Sequence, residues 1–441
     1  MRQKMNEISI STKRSNVAYI IEAMLEYFIA LAVSGTYLTH VMTYISIPSA
    51  MQGVINSVIS LGCGFQFLAV VFPIKRSVKR KIIVLHSISQ ILFSLVFFIP
   101  LFSFPFEVRV SAFILSLAPA YIIHNYINAP KIAWCMSHVN DSVRGKFTAN
   151  KEIVSLLAGM AFSFSLGALI DFLEAGKMIE IAFTIIGGII VLTCIAHTIS
   201  LIFVDEKPEI SVSKPKVSLV SLLKNKQLMK VIPIFIVWDI AHYVTISFAS
   251  AYQKNTLGFP ALAMTLIVVG GSLIRVLFSR PLGKFADKHS FIKMLTVCFI
   301  SHTLGFITIM FTAPYIGYPA YILYSIFSQI GNVGIASSQI NLIYDYVEPH
   351  ERSSAFALSR TFSGFAGFFA TLAVSPLYDF IGDSGLSLGG FILYPLPVMG
   401  AISAVIMIAL LAYIYFAFLR KKKKPCEKTA GNSDNNANKN E

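Results

Sequence analysis

Twelve stretches of this 441-residue chain are long and apolar enough to cross a lipid bilayer, and that leaves few folds open. A spanning helix needs about 20 mostly apolar residues. The stretches run 17–42, 50–73, 82–104, 110–132, 149–171, 179–203, 229–251, 260–278, 291–313, 317–343, 354–380 and 392–419. They lack the period-two alternation of barrel strands. In hydrocarbon a backbone must satisfy its own hydrogen bonds, which a helix does. Charged residues make up only 13% of the chain, and the mean hydropathy is +0.70. Such a composition excludes a soluble enzyme, a disordered chain and a disulfide-stapled secreted domain. The first 16 residues are polar, with no short apolar stretch and cleavage site before the first span, so no cleaved signal peptide is expected.

The formal net charge is +14, and its distribution matters more than its size. With the N-terminus inside and sides alternating at each span, all but four of the 36 Lys and Arg fall on inside segments. Arg109, Lys177 and Lys254 are outside, and Arg275 lies within a span. This is the positive-inside bias, which places both termini in the cytoplasm of a plasma-membrane protein. The basic patches therefore read as orientation and lipid contact, with no nucleic-acid partner. The cysteines, Cys63, Cys135, Cys194, Cys298 and Cys426, lack CxxC spacing and are expected as small packing residues, with no metal.

The longest internal connection separates six spans from six. The expected organisation is a cytoplasmic tail over 1–16, a six-helix bundle over 17–204 and a cytoplasmic linker over 205–228. A second bundle follows over 229–419, then a basic, disordered tail over 420–441. The halves repeat: with residues 139–172 offset by 208, nine of 34 positions are identical. Among them are Arg144/Arg352, Gly159/Gly367 and Asp171/Asp379. Both units start inside and end outside. The predicted fold is an all-α membrane protein of twelve transmembrane helices in two pseudo-symmetric six-helix bundles, a parallel-repeat transporter plan.

Between spans 8 and 9 the chain reads Gly283-Lys284-Phe285-Ala286-Asp287-Lys288-His289, followed by Lys293. This resembles the Gly-x-x-x-Asp-Arg/Lys loop motif of the major facilitator superfamily, and the general resemblance covers about residues 17–419. Gly283 is expected to allow a tight exit from span 8. The resemblance implies that Asp287 with Lys288 latches the halves on the inside and favours the outward-open state. The first-half equivalent, Pro73 to Lys81, keeps the positive charge and lacks the Gly and the Asp. Span 5 lacks the central Pro of the family's drug-antiporter motif.

Ionisable residues at mid-membrane cost roughly 2.5–3.5 kcal/mol on insertion scales, so they usually face a cavity. Glu22 and Glu26 share a face of span 1 at i, i+4. Two close carboxylates in low dielectric cannot both stay ionised cheaply, which suits proton coupling. Span 7, the repeat mate of span 1, holds Asp239 and His242 at i, i+3, a second expected proton-coupling pair. Trp238 and Tyr243 flank them as stacking surfaces for substrate. Arg275 in span 8 cannot lose its proton and needs either Asp239 or an anionic substrate. His124, Asn125 and Asn128 in span 4, with Gln329 and Asn332 in span 10, offer donors and acceptors to a solute. Arg360, Lys151 and Glu152 read as gate or interface charges.

No HExxH, nucleophile elbow or phosphate loop is present, so neither hydrolysis nor ATP drive is encoded. The expected function is secondary active transport of a small polar organic solute by alternating access, as proton-coupled symport. No cofactor is expected, sodium in place of the proton stays open, and a monomer suffices. The competing readings are a proton-antiport exporter of drugs or metabolites and a non-transporting membrane receptor or sensor.

Overall fold

The structure, a computed structural model, describes residues 2–74, 77–139, 144–206, 219–348 and 351–420. Lys75 and Arg76, residues 207–218 of the expected linker and the tail beyond 420 lie outside the described residues. Long apolar runs become helices because no water is available to their backbones. Span 1 comprises Arg2–Ala32 and Gly35–Tyr44; span 2 is built from Ser49–Asn56, Val58–Gly64 and Leu68–Val71. Spans 3 to 6 are Val78–Leu95, Phe106–Met136, Arg144–Ala175 and Ile179–Ile202. Spans 7 to 9 are Leu228–Ala251, Ala261–Lys288 and Phe291–Ile309. Spans 10 to 12 are Gly317–Tyr344, Arg352–Ile381 and Pro395–Ile414.

Ten of these spans are long and apolar enough to cross a membrane by length and composition alone. Span 3 carries Lys79, Arg80 and Lys81 in its first turn, and span 10 is a 28-residue helix without a charged residue. Together they complete twelve. One hydrophobic core joins spans 1–6 and takes in Ala261 of span 8; the other joins spans 7–12 and takes in Ala50 of span 2. The molecule is thus two six-helix bundles, as the parallel repeat predicts.

Three local outcomes differ from the sequence reading. Residues 392–394, expected to open span 12, belong to or follow a hairpin pairing Leu386–Leu388 with Phe391–Leu393. Gly389 and Gly390 supply the two positive φ angles, +55 and +94, that its two-residue turn requires. Gly283 makes no exit turn: the helix of span 8 runs unbroken to Lys288, and a Cβ there would meet nothing within 4 Å. Lys131, read as an inside-segment charge, lies within span 4 at 1% exposure.

The ends of the bundles differ. Call the end holding Arg14, Lys79 and Lys288 the basic end. At the far end the halves are pinned together. Asp171 of span 5 accepts from the Ala261 and Leu262 amides, both at 2.8 Å, at the start of span 8. A carboxylate there satisfies two orphan amides and meets the positive end of the helix dipole. Glu174 pairs with Lys254 at 2.8 Å, Asn255 accepts from Thr43 at 3.0 Å, and Asp383 accepts from Ser49 at 2.6 Å. Toward the basic end span 8 is exposed on every side over residues 275–281, and among the described residues no hydrogen bond or ion pair joins those halves of spans 5 and 8. The halves therefore close at the far end and part at the basic end.

A capping carboxylate is worth about 1 kcal/mol. Asp171→Ala should shift the equilibrium about fivefold toward opening at the far end. Maleimide labelling of a Gln253→Cys probe, buried in the closed state, should rise to match. Asp379, the repeat mate, is exposed and has no side-chain partner among the described residues. Asp379→Ala should leave the rate unchanged; an equal rise in both variants would contradict the cap.

Candidate functional site: a central cavity and two charge clusters

Span 1 breaks between Ala32 and Gly35, where Gly35 takes φ +56. Irregular backbone at membrane depth is tolerated where it lines a cavity. Ser34, Gly35, Thr36 and Tyr37 all do so, in a central cavity of about 340 Å³ between the halves. The Tyr37 hydroxyl donates to the Ser163 carbonyl at 2.6 Å and lies 3.2 Å from Thr265 Oγ1, roofing the cavity on its far side. Asn56 donates to the Ser247 carbonyl at 3.2 Å across the halves. The remaining wall includes His242, Tyr243, Gln253, Tyr321, Tyr324, Gln329 and Asn332. Among the described residues the lining mixes hydroxyls, amides and rings with apolar side chains such as Leu31, Ile59, Ile246, Ile267 and Val268, and holds no Asp, Glu, Lys or Arg.

The second feature lies within the first half, toward the basic end. Lys131 Nζ lies 2.7 Å from Glu22 Oε1 and 2.5 Å from Glu26 Oε1. His197 Nε2 is 3.1 Å from the same Glu22 oxygen, and His124 Nδ1 is 3.6 Å from Glu26. His86 packs edge-on against His197, ring centroids 4.1 Å apart. Glu22 and Lys131 are sealed, whereas the Glu26 side chain is 25% exposed. Glu26, His124 and Asn125 line a separate cavity of about 230 Å³, and Ile59 lines both cavities. Oxygens of Glu22 and Glu26 and a His197 nitrogen lie close enough together to hold a metal ion. The Lys131 ammonium is already bonded to both carboxylates, so the cation these groups need is supplied by the chain itself.

In the second half, Asp239 is buried and faces the Arg360 guanidinium and the Ser363 hydroxyl of span 11. Arg360 Nη2 also donates to Cys63 Sγ of span 2 at 3.0 Å, across the halves. The expected Asp239–His242 pair does not form. Asp239 turns to span 11, while His242 stacks on Trp238, centroids 4.9 Å apart, and meets Tyr243 edge-on at 5.4 Å. Spacing of i, i+3 puts two residues on one helix face, but a cation on the neighbouring helix takes the carboxylate. Arg360 is thus a half-buried charge at the interface between the halves. Among the described residues Arg275 pairs with no carboxylate; it is exposed and reaches Gln329 at 3.4 Å.

Of the expected substrate contacts, Tyr243, Gln329 and Asn332 line the central cavity, joined by His242. His124 and Asn125 line the smaller cavity instead. Trp238, Asn128 and Arg275 line neither. Trp238 is held in a ring stack with Phe299 and His302, which places it behind His242. Asp287 and Lys288 are exposed and have no ion-pair partner among the described residues, so the expected latch contact is not formed here. The sequence reading missed Lys131, His197 and His86 as members of the charge cluster. A signal for Lys131 existed: it lies seven residues after His124, two turns on along the same face.

Two parallel six-helix halves around a central cavity define a secondary transporter embedded in the membrane, and not an enzyme. The sequence profile of the Major Facilitator Superfamily matches residues 17–371. The chain belongs to that superfamily. Among solved structures it is similar to a nucleoside transporter, NupG, in a single-residue mutant form, with TM-score 0.70, 12% identity and coverage of 92% of this chain and 100% of that one. NupG without that change gives TM-score 0.68 and 13% identity over the same shares. A D-xylose-proton symporter gives TM-score 0.63 and 13% identity, covering 89% of this chain and 96% of that one. No curated protein sequence matches the chain.

Proposed function

We propose that this transporter takes up a neutral, hydroxyl-bearing ring solute together with one proton. The observation that carries the proposal is a buried ammonium shared by two carboxylates beside a cavity wall without fixed charge. With its histidines neutral, the first-half cluster bears a net charge of −1. Burying an uncompensated charge costs several kcal/mol. One proton makes the cluster neutral, and Glu26, which borders a cavity, is the carboxylate a proton reaches. Asp239 is matched one-to-one by Arg360 and needs no proton.

A wall of amides, hydroxyls and aromatic rings binds hydroxyls by hydrogen bonds and ring faces by stacking. A charged solute would enter without a counter-charge. The names of the solved neighbours, a nucleoside transporter and a D-xylose-proton symporter, belong to the same solute chemistry. The positive-inside bias puts the basic end in the cytoplasm, so the arrangement described here faces inward, and substrate and proton leave from it. Return requires closing spans 5 and 8 and breaking the far-end pins.

Purified protein in liposomes tests this with labelled D-xylose and uridine. An acid exterior should drive accumulation about tenfold above equilibrium for one proton per unit of pH difference. Equal uptake under acid-outside and acid-inside gradients would remove the proton from the mechanism. Accumulation driven by an acid interior would assign antiport instead.

A further inference from the structure

From the contacts of span 11 we infer that Arg360 transmits the charge of the proton seat to the movement between the halves. The inference rests on the symport reading above. It names a positioning residue: Arg360 lines neither cavity and acts through the groups it holds.

The backbones of the two halves approach closely where spans 2 and 11 cross. A Cβ on Gly364 would fall 2.5 Å from the Gly64 amide nitrogen and 2.6 Å from the Ser60 carbonyl oxygen. Ser60 Oγ donates to the Gly364 carbonyl at 2.9 Å, and the Phe67 amide donates to Thr361 Oγ1 at 3.1 Å. This contact persists toward the basic end, where spans 5 and 8 have parted. A rocking of the halves would turn about this contact, and groups at a pivot stay in touch with both halves while the ends swing. Arg360 stands one helical turn from Gly364, and Cys63 is next to Gly64.

Arg360 meets both halves there, with Asp239 and Tyr243 of span 7 on one side and Cys63 of span 2 on the other. Asp239 alone would neutralise it; the extra bond to a thiol of the opposite half adds nothing to that balance. Cys63 borders the same cavity as Glu26 and His124, while Tyr243 borders the substrate cavity. The Arg360–Cys63 bond therefore reaches the wall of the cavity that Glu26 also lines, the seat whose own charge changes by one unit in each cycle. The pull of that seat on the guanidinium is stronger with Glu26 ionised than with Glu26 protonated, and across a low-dielectric interface that difference is not screened away. The groups that set the seat's charge are Glu22 and Tyr19 of span 1, His86 of span 3, Lys131 of span 4 and His197 of span 6. Cys135 of span 4 and, at the edge, Lys151 of span 5 also face it. None of these supplies the link to the second half that Arg360 supplies.

The spectroscopic arm of the test needs no substrate. Spin labels are placed at Leu157→Cys and Leu277→Cys, both exposed on the basic halves of spans 5 and 8, in a background that keeps Cys63 and lacks the other native cysteines. Distance distributions are recorded at about pH 5.5 and about pH 8 in the full-length protein. The parent should change its ratio of open to closed forms by about fivefold or more between the two. Arg360→Gln leaves Asp239 buried without its partner and risks misfolding, so the decisive variant is Arg360→Gln with Asp239→Asn, which removes both charges. That double variant should populate both forms and lose the pH response. In liposomes it should lose the accumulation of labelled D-xylose or uridine that an acid exterior drives in the parent, while its thermal melt stays near the parent's. A double variant that responds to pH and accumulates as the parent does would reduce Arg360 to a partner for Asp239 and overturn the inference alone. A parent that shows no pH response would overturn the proton-symport reading, and this inference with it.

Discussion

Replacing Lys131 with methionine is expected to abolish proton-driven accumulation, by about a hundredfold or more, and to lower thermal stability. The ammonium lies 2.5 and 2.7 Å from two carboxylates and is 1% exposed. Removing one member of a buried ion pair costs about 3–5 kcal/mol, because the other charge is left unpaired. Here Glu22 and Glu26 would be left facing each other, and they would escape by binding protons and keeping them. A seat that never empties cannot drive a cycle. The triple variant Glu22→Gln, Glu26→Gln, Lys131→Met removes all three charges, and should recover most of the lost melting temperature without recovering accumulation. Transport under an acid exterior and a thermal melt of each variant check this. Parent-like accumulation by Lys131→Met would show that the cluster is a structural pair and nothing more.

Gly364→Ala should be nearly as damaging, for a different reason. Its Cβ would sit 2.5 Å and 2.6 Å from backbone atoms of span 2, and a backbone cannot step aside as a side chain does. Overpacking costs about 1–3 kcal/mol, occasionally more. Spans 2 and 11 would be forced apart at the crossing that both halves turn about. Both exchange and accumulation should fall at least tenfold, since about 1.4 kcal/mol is a factor of ten. Gly188→Ala is the control: a Cβ there meets nothing within 4 Å, and alanine is the better helix former. Similar activity in both variants would mean that the crossing is not tightly packed in the working protein.

Much of the architecture was legible because lipid simplifies the problem. A run such as 179–203 can only be a spanning helix, and it appears as Ile179–Ile202. The repeat around Asp171 and Asp379 announced two parallel halves, and the family motif at Asp287 agreed. The candidate site was legible in part. Glu22 and Glu26 could be placed on one face from their spacing, yet the sequence pointed to Asp239 and His242 as a second pair. Helical spacing fixes which residues share a face. It does not say which neighbouring helix supplies the competing partner, and Arg360 lies 121 positions further along the chain.

The same limit separates the repeat from what became of it. Asp171 and Asp379 are equivalent in sequence, but only Asp171 meets a helix start, the amides of Ala261 and Leu262; Asp379 faces outward. By itself the chain determined its spans, its two halves and the kinds of polar group available at mid-membrane, since hydropathy and period are local properties. Tertiary structure alone decided that Lys131 would sit between two carboxylates, that Arg360 would reach across to Cys63, and that the far end would be the closed one. Those outcomes depend on distances between residues far apart along the chain, and such distances exist only once the helices have packed.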